Sequence, residues 1–156
     1  MTTIFIVSEG DELPDAVFLD AESCARFCDD DGGTGYSYDM PAGGGKIERV
    51  EAFFLARAYH DGRETEVFSS PWYFSGHKNN EEWLDVCGAT EDEARRKSEE
   101  LRAWARKDGA GQAAKTAVFD KYNPGVPGWD PYGLWIRKEW QEEADAAYKA
   151  AFEAIT

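Results

Sequence analysis

Leu55-Ala56-Arg57-Ala58-Tyr59-His60-Asp61-Gly62-Arg63-Glu64-Thr65-Glu66-Val67-Phe68 decides the class of fold. Asp-Gly is a tight-hairpin dipeptide, because both residues tolerate the positive backbone φ that a primed two-residue turn demands. The flanking segments, 46–59 and 64–68, supply apolar and aromatic residues, so the stretch reads as two antiparallel strands joined at residues 60–63. A third run at 82–87 is placed to continue the same sheet.

Toward the N-terminus, residues 3–8 form a β-branched and aromatic run bounded by Gly10, and residues 16–19 form a second after Pro14. Both read as strands. Asp20 stands where a helix N-cap belongs, and residues 21–29 bring Ala21, Cys24, Ala25, Phe27 and Cys28 near one helical face before Asp29-Asp30-Asp31 and Gly32-Gly33. The order expected is β-β-α. Residues 32–45 hold six glycines and one proline around Tyr36, Tyr38 and Asp39, and read as a long loop.

Toward the C-terminus, Thr90-Glu91-Asp92-Glu93 is a capping box opening a helix over 91–108, with Gly109 as its stop. Ala94, Leu101, Trp104 and Ala105 form its apolar stripe, and Asp92/Arg96, Glu93/Lys97 and Glu91/Arg95 are acid-first i,i+4 pairs that neutralise its basic residues. Residues 112–122 read as a short helix, 123–133 as a Pro/Gly-rich connector, and 134–155 as a long helix. In the last, Ile136, Trp140, Ala144, Ala147, Ala151 and Ile155 recur at helical spacing, with Tyr148 and Phe152 widening the stripe; that face needs cover from the sheet or from a partner. Trp83, Trp104, Trp135 and Trp140 fall on inner faces, while Trp72-Tyr73-Phe74 and Trp129/Tyr132 fall near loops as candidate contact sites. The fold class is α+β in one domain, strand-rich over 1–88 and helical over 90–156. It comprises an antiparallel sheet of four or five strands with helices on one face and a long C-terminal amphipathic helix.

The chain has 156 residues, of which 42% are hydrophobic and 14% aromatic, enough for a core. Its 31 acids against 17 bases leave a net charge of −14. That balance argues against direct nucleic-acid or anionic-membrane binding, which requires a surplus of Lys and Arg. The acid is concentrated early: residues 1–45 carry 10 acids and one base, the remainder 21 and 16. Cys24, Cys28 and Cys87 are an odd set without framework spacing, which fits a reducing cytoplasm. The opening residues lack a basic n-region, and no apolar stretch reaches 18 residues, so neither a signal peptide nor a membrane span is expected.

No catalytic or metal motif is complete. Gly43-Gly44-Gly45-Lys46 has Met40 where a phosphate loop needs Gly and Ile47 where it needs Ser or Thr. Gly35-Tyr36-Ser37-Tyr38-Asp39 lacks the closing Gly of a nucleophile elbow. The run from Asp29 has Met40 where a calcium loop needs Glu, and Cys24 and Cys28 lack the further ligands that zinc requires. Neither metal nor cofactor is expected. An enzyme would have to use His60 or His77 with a carboxylate or Cys87.

The pattern Ile-Phe-Ile-Val-Ser-Glu-Gly at 4–10, followed by Ala-Val-Phe-Leu-Asp-Ala-Glu-Ser-Cys-Ala-Arg-Phe at 16–27 and a strand at 46–51, resembles a loose group of small uncharacterised phage and prophage proteins. Those open with a strand ending in Ser/Thr-x-Gly, then Ala/Val-Val-Phe, a polar cap and an Ala-rich helix. The resemblance covers about the first 55 residues, departs at the Asp11-Glu12-Leu13-Pro14-Asp15 turn and carries over no catalytic residue. It implies a phage accessory protein acting in the host cytoplasm. With the charge, it leads to the expectation of a non-enzymatic inhibitor of anti-CRISPR or anti-restriction type that occupies a basic surface of a host nucleic-acid-binding complex. Asp29, Asp30, Asp31 and Asp39 would imitate phosphates, and Tyr36 and Tyr38 would anchor the contact. The alternative is a protein-binding module docking through its C-terminal helix.

Overall fold

A computed structural model describes residues 1–10, 13–122 and 137–156. The architecture is α+β, with nine strands and three helices among the described residues. The strands fall into two antiparallel sheets instead of one. The chain gathers into two compact units, Met1–Glu100 and Leu101–Thr156.

In the first unit, β1 (Thr2–Ser8), β2 (Ala16–Phe18), β3 (Thr34–Met40), β4 (Glu48–Arg49) and β7 (Trp72–Phe74) make a five-stranded sheet of order β2-β1-β3-β4, with β7 also on β3. The second sheet runs β6 (Glu66–Ser70), β5 (Phe53–Tyr59), β9 (Trp83–Gly88), β8 (His77–Asn79). The expected hairpin joins β5 to β6, but across residues 60–65 and not 60–63: Gly62 N–H donates to the Tyr59 carbonyl, and Gly62 takes a positive φ of 85° while Asp61 does not. The strand expected over 46–59 is divided, since Glu48–Arg49 pairs with β3 in the first sheet. Helix α1 (Ala21–Asp31) starts at Asp20, whose carboxylate accepts from the Ser23 N–H at 2.7 Å, and ends at Gly32 with φ 89°.

Residues 34–40 are not loop: they are β3, paired with β1 over its whole length. The glycines misled because two of them permit close packing. A Cβ at Gly35 would lie 2.8 Å from Cys24 Sγ, and one at Gly33 2.9 Å from Val7 Cγ1. Trp72-Tyr73-Phe74 likewise forms β7, not a loop cluster, and Tyr73 is fully buried. Ser37 joins the pieces of this edge. Its N–H donates to the Pro71 carbonyl, its carbonyl accepts from Val50 N–H, and its hydroxyl donates to the Val50 carbonyl at 2.7 Å while accepting from Ala52 N–H. The sheets share a core in which Phe53 meets Phe5 at 5.3 Å and Tyr73 at 5.6 Å, with Val7, Cys24, Cys28 and Cys87 around them.

Helix α2 (Glu91–Tyr122) begins at the expected box: Glu93 N–H donates to Thr90 Oγ1, and the Glu93 carboxylate accepts from Ala89 N–H. Glu93–Lys97 and Glu91–Arg95 form, while Arg96 turns to Glu100 instead of Asp92. The helix does not stop at Gly109. It continues to Tyr122, absorbing the short helix expected at 112–122.

The second unit explains this continuation. A Cβ at Gly111 would lie 2.5 Å from the Tyr148 ring, and the Tyr148 hydroxyl reaches Asp108 at 2.6 Å. Gly111 therefore lets α3 (Lys138–Ala154) approach α2 closely. Trp140 stacks on Tyr122 at 4.7 Å, Ala144 is buried, and Lys115 pairs with Asp145. The apolar face of the C-terminal helix is thus laid on its own chain. Trp104, expected inward, is 48% exposed. Trp129, Tyr132, Trp135, Ile136 and the 123–133 connector lie outside the described residues, as do Asp11 and Glu12.

Candidate acidic interaction site

Counted by unit, Met1–Glu100 holds 23 acids and 9 bases, a net −14, whereas Leu101–Thr156 holds 8 and 8. The charge of the protein is the charge of its sheet-bearing unit. Within it, α1 is the acidic ridge. Its inner face buries Cys24, Ala25 and Cys28, and its outer face presents Glu22, Asp30 and Asp31 to solvent.

Two hollows flank α1. One, of about 380 Å³, is lined by Glu22, Asp29, Asp30 and Glu93, with Arg26 as its only base. The other, of about 300 Å³, is floored by Phe18 and Phe27 and rimmed by Asp30 and Asp31, again with Arg26. Asp30 and Asp31 occupy the last turn of α1, which contains no basic residue, so they face the negative end of the helix dipole.

Asp29 differs from its neighbours because it is engaged internally. The Tyr73 hydroxyl donates to both its oxygens at 2.9 Å, and Lys97 lies 3.5 Å away. Lys97 also donates to the Tyr73 hydroxyl at 2.9 Å and pairs with Glu93 at 2.9 Å. Burial, reinforced by the Asp29 carboxylate, pushes the Tyr73 phenol far above its ordinary range. Burial opposes ionisation of Glu93, but Lys97 and the Ala89 N–H outweigh it and hold that carboxyl below its usual value.

The expected contact residues do not converge on one patch. Gly35 faces the α1 cysteines, and strand alternation places Ser37 and Asp39 on that face. Asp39 accepts from Thr3 Oγ1 at 2.6 Å. Tyr36 and Tyr38 point to the opposite face, where the Arg49 guanidinium lies 5.1 and 5.6 Å from their ring centres. Asp30 and Asp31 are therefore the free carboxylate pair of the set, while Asp29 is engaged by Tyr73 and Lys97 and the tyrosines lie elsewhere.

The candidate enzyme residues are occupied differently. His60 Nε2 lies 2.9 Å from both Asn79 Oδ1 and the Asn80 carbonyl, bracing a loop, and His77 is exposed on β8. Burial pushes the Cys87 thiol up to about 11, and the Cys24 thiol is raised by its hydrogen bond to Cys28. Ser37 is buried in the backbone network already described. Among the described residues, no three His, Cys, Asp or Glu side chains are grouped to hold a metal ion, and no helix is long and apolar enough to cross a membrane.

Sequence reasoning missed Phe18 and Phe27 as a pocket floor, and Tyr73 and Lys97 as the holders of Asp29. Only the Glu93/Lys97 spacing was visible; the other contacts join residues more than 40 positions apart or on separate elements. No protein-family model, curated protein or solved structure matches the chain.

Proposed function

We propose that this is a non-catalytic, acidic interaction protein that blocks a basic protein surface belonging to a nucleic-acid-handling complex. The role is that of a phage accessory factor of anti-CRISPR or anti-restriction type, acting in the host cytoplasm. One observation carries the reading: the sheet-bearing unit holds the whole net charge of −14, and its α1 ridge ends in Asp30 and Asp31 without a basic residue in that turn. Acids at a helix C-terminus oppose the dipole by roughly 0.3–1 kcal/mol each. A partner's Lys or Arg offsets that penalty and uses the same cations that would otherwise meet phosphates. The alternative, docking through the C-terminal helix, has less support, since Trp140 and Tyr148 are already packed against α2 and Ala144 is buried.

The test is affinity capture from nuclease-treated host lysate with a salt gradient, comparing the protein with the double variant Asp30→Lys, Asp31→Lys. Expected is a nucleic-acid-handling complex that loses activity when bound, elutes at a few hundred millimolar salt where exposed charge pairs are screened, and is not retained by the variant. Retention unchanged by charge reversal would overturn the assignment.

A further inference from the structure

The geometry points to β2 as the edge along which an extended segment of a basic partner adds a strand to the first sheet. This rests on the acidic-binder reading and specifies what the acidic ridge grips. β2 ends the strand order β2-β1-β3-β4 and pairs with β1 through Phe5↔Phe18, Ile6↔Val17 and Val7↔Ala16. Alternate residues of an edge strand direct their N–H and C=O groups away from the sheet. Such edges are usually guarded by lysines, inward charges, proline, bulges or short length. β2 is short and follows Pro14, yet it has no lysine, and Leu13, Val17 and Leu19 are 87%, 57% and 75% exposed.

The two sides of the edge differ in chemistry. On the α1 side Phe18 packs against Phe27 at 5.6 Å, and these rings floor the hollow rimmed by Asp30 and Asp31. Alternation turns Val17 to the other side. A strand laid along β2 carries its residues alternately over the hollow and beside Val17. The aromatic floor accepts the aliphatic stem and cationic head of Arg or Lys, with the two carboxylates opposite the charge. Arg26 is the one cation lining that hollow, against two acids. The Val17–Leu19 side suits branched apolar residues. The occupant is therefore an extended protein segment alternating basic with branched apolar residues. A second copy of this chain is the poorer fit, because it would bring together two units of net charge −14.

The probe is a blocked pentapeptide alternating arginine and valine, titrated calorimetrically, with two isomers carrying backbone N-methyl groups on the valines or on the arginines. Strand addition uses the N–H groups of only one set. One isomer is expected to bind about tenfold or more weakly and the other within about threefold of the parent. The variant Val17→Lys, checked for folding by circular dichroism, is expected to weaken the parent peptide by a similar factor. Equal binding of both isomers, or no binding of the parent, overturns the strand addition. A concentration-dependent dimer abolished by Val17→Lys also overturns it, in favour of self-pairing. None of these outcomes bears on lysate capture by the Asp30/Asp31 pair, so failure of the edge and failure of the acidic-binder reading are separable.

Discussion

Replacing Tyr73 by Phe removes the ring's one oxygen, which joins Asp29 to Lys97, and leaves the ring packed on Phe53. The hydroxyl donates to Asp29 and accepts from Lys97, each at 2.9 Å. A hydrogen bond to a charged group contributes about 1.5–3 kcal/mol, so two give an upper bound of roughly 3–6 kcal/mol. Two features reduce this. Asp29 retains 39% side-chain exposure, so water replaces its lost donor, and Lys97 keeps Glu93 at 2.9 Å and Asp29 at 3.5 Å. The expected loss is about 2 kcal/mol. With a urea slope of roughly 2 kcal/mol per molar, the unfolding midpoint falls by about 1 M with the slope unchanged. Equilibrium urea unfolding followed by near-ultraviolet circular dichroism reads it. A midpoint within about 0.2 M of the parent would refute the argument, because the Asp29–Tyr73–Lys97 cluster would then contribute nothing that solvent does not supply.

The two glycines of α2 are expected to respond with opposite signs. Gly109→Ala meets open space and gains helix propensity, raising stability by about 0.5–1 kcal/mol, while Gly111→Ala strikes the Tyr148 ring and lowers it by about 1 kcal/mol or more. Thermal melts by far-ultraviolet circular dichroism compare them, and shifts of equal sign would contradict the close helix approach. The melting temperature is also expected to fall as the pH drops below about 4. The Asp20 and Glu93 carboxyls are held below their ordinary values, by the Ser23 N–H and by Lys97 with the Ala89 N–H respectively. Because their folded-state pKa values are depressed, their contribution is present above the unfolded pKa of about 4 and is lost as the pH falls through the folded values. Near neutrality the first unit, of charge −14, repels itself through charges that salt screens. Shortening the Debye length from about 30 to about 8 Å should therefore raise the melting temperature at pH 7. A melting temperature unmoved by salt would argue against self-repulsion.

What was legible in the chain was local. The Asp20 cap and the Thr90–Glu93 box are decided within four residues and stand in the structure as read, and the Asp61-Gly62 signal located a hairpin whose loop is longer than read. The errors came where a residue's purpose lies across space. Gly35 and Gly111 look like breaks in an element, yet each is a place where another element must come close: the α1 thiols at one, a tyrosine ring at the other. Trp72-Tyr73-Phe74 has no periodicity in three residues, and its strand character depends on pairing with Thr34–Tyr36. For the site, the charge bias pointed to the first third of the chain, which includes α1. It could not separate Asp29, engaged by Tyr73 and Lys97, from Asp30 and Asp31, nor show that Tyr36 and Tyr38 face away.

The junction at Ser37 has a consequence for descent. Its site excludes water and asks for a small side chain that both gives and takes a hydrogen bond; alanine would leave the Val50 carbonyl and Ala52 N–H short of a partner. Two positions earlier the wall of sulfur leaves no space for a methyl group. A carboxylate-covered exterior can drift in composition, whereas Gly-x-Ser on the third strand, joined to the Pro-x-Tyr that leads into the seventh, has few permitted substitutes. Distant kin of this chain should therefore be sought by that interior spelling, including kin whose surfaces have lost the acidity altogether.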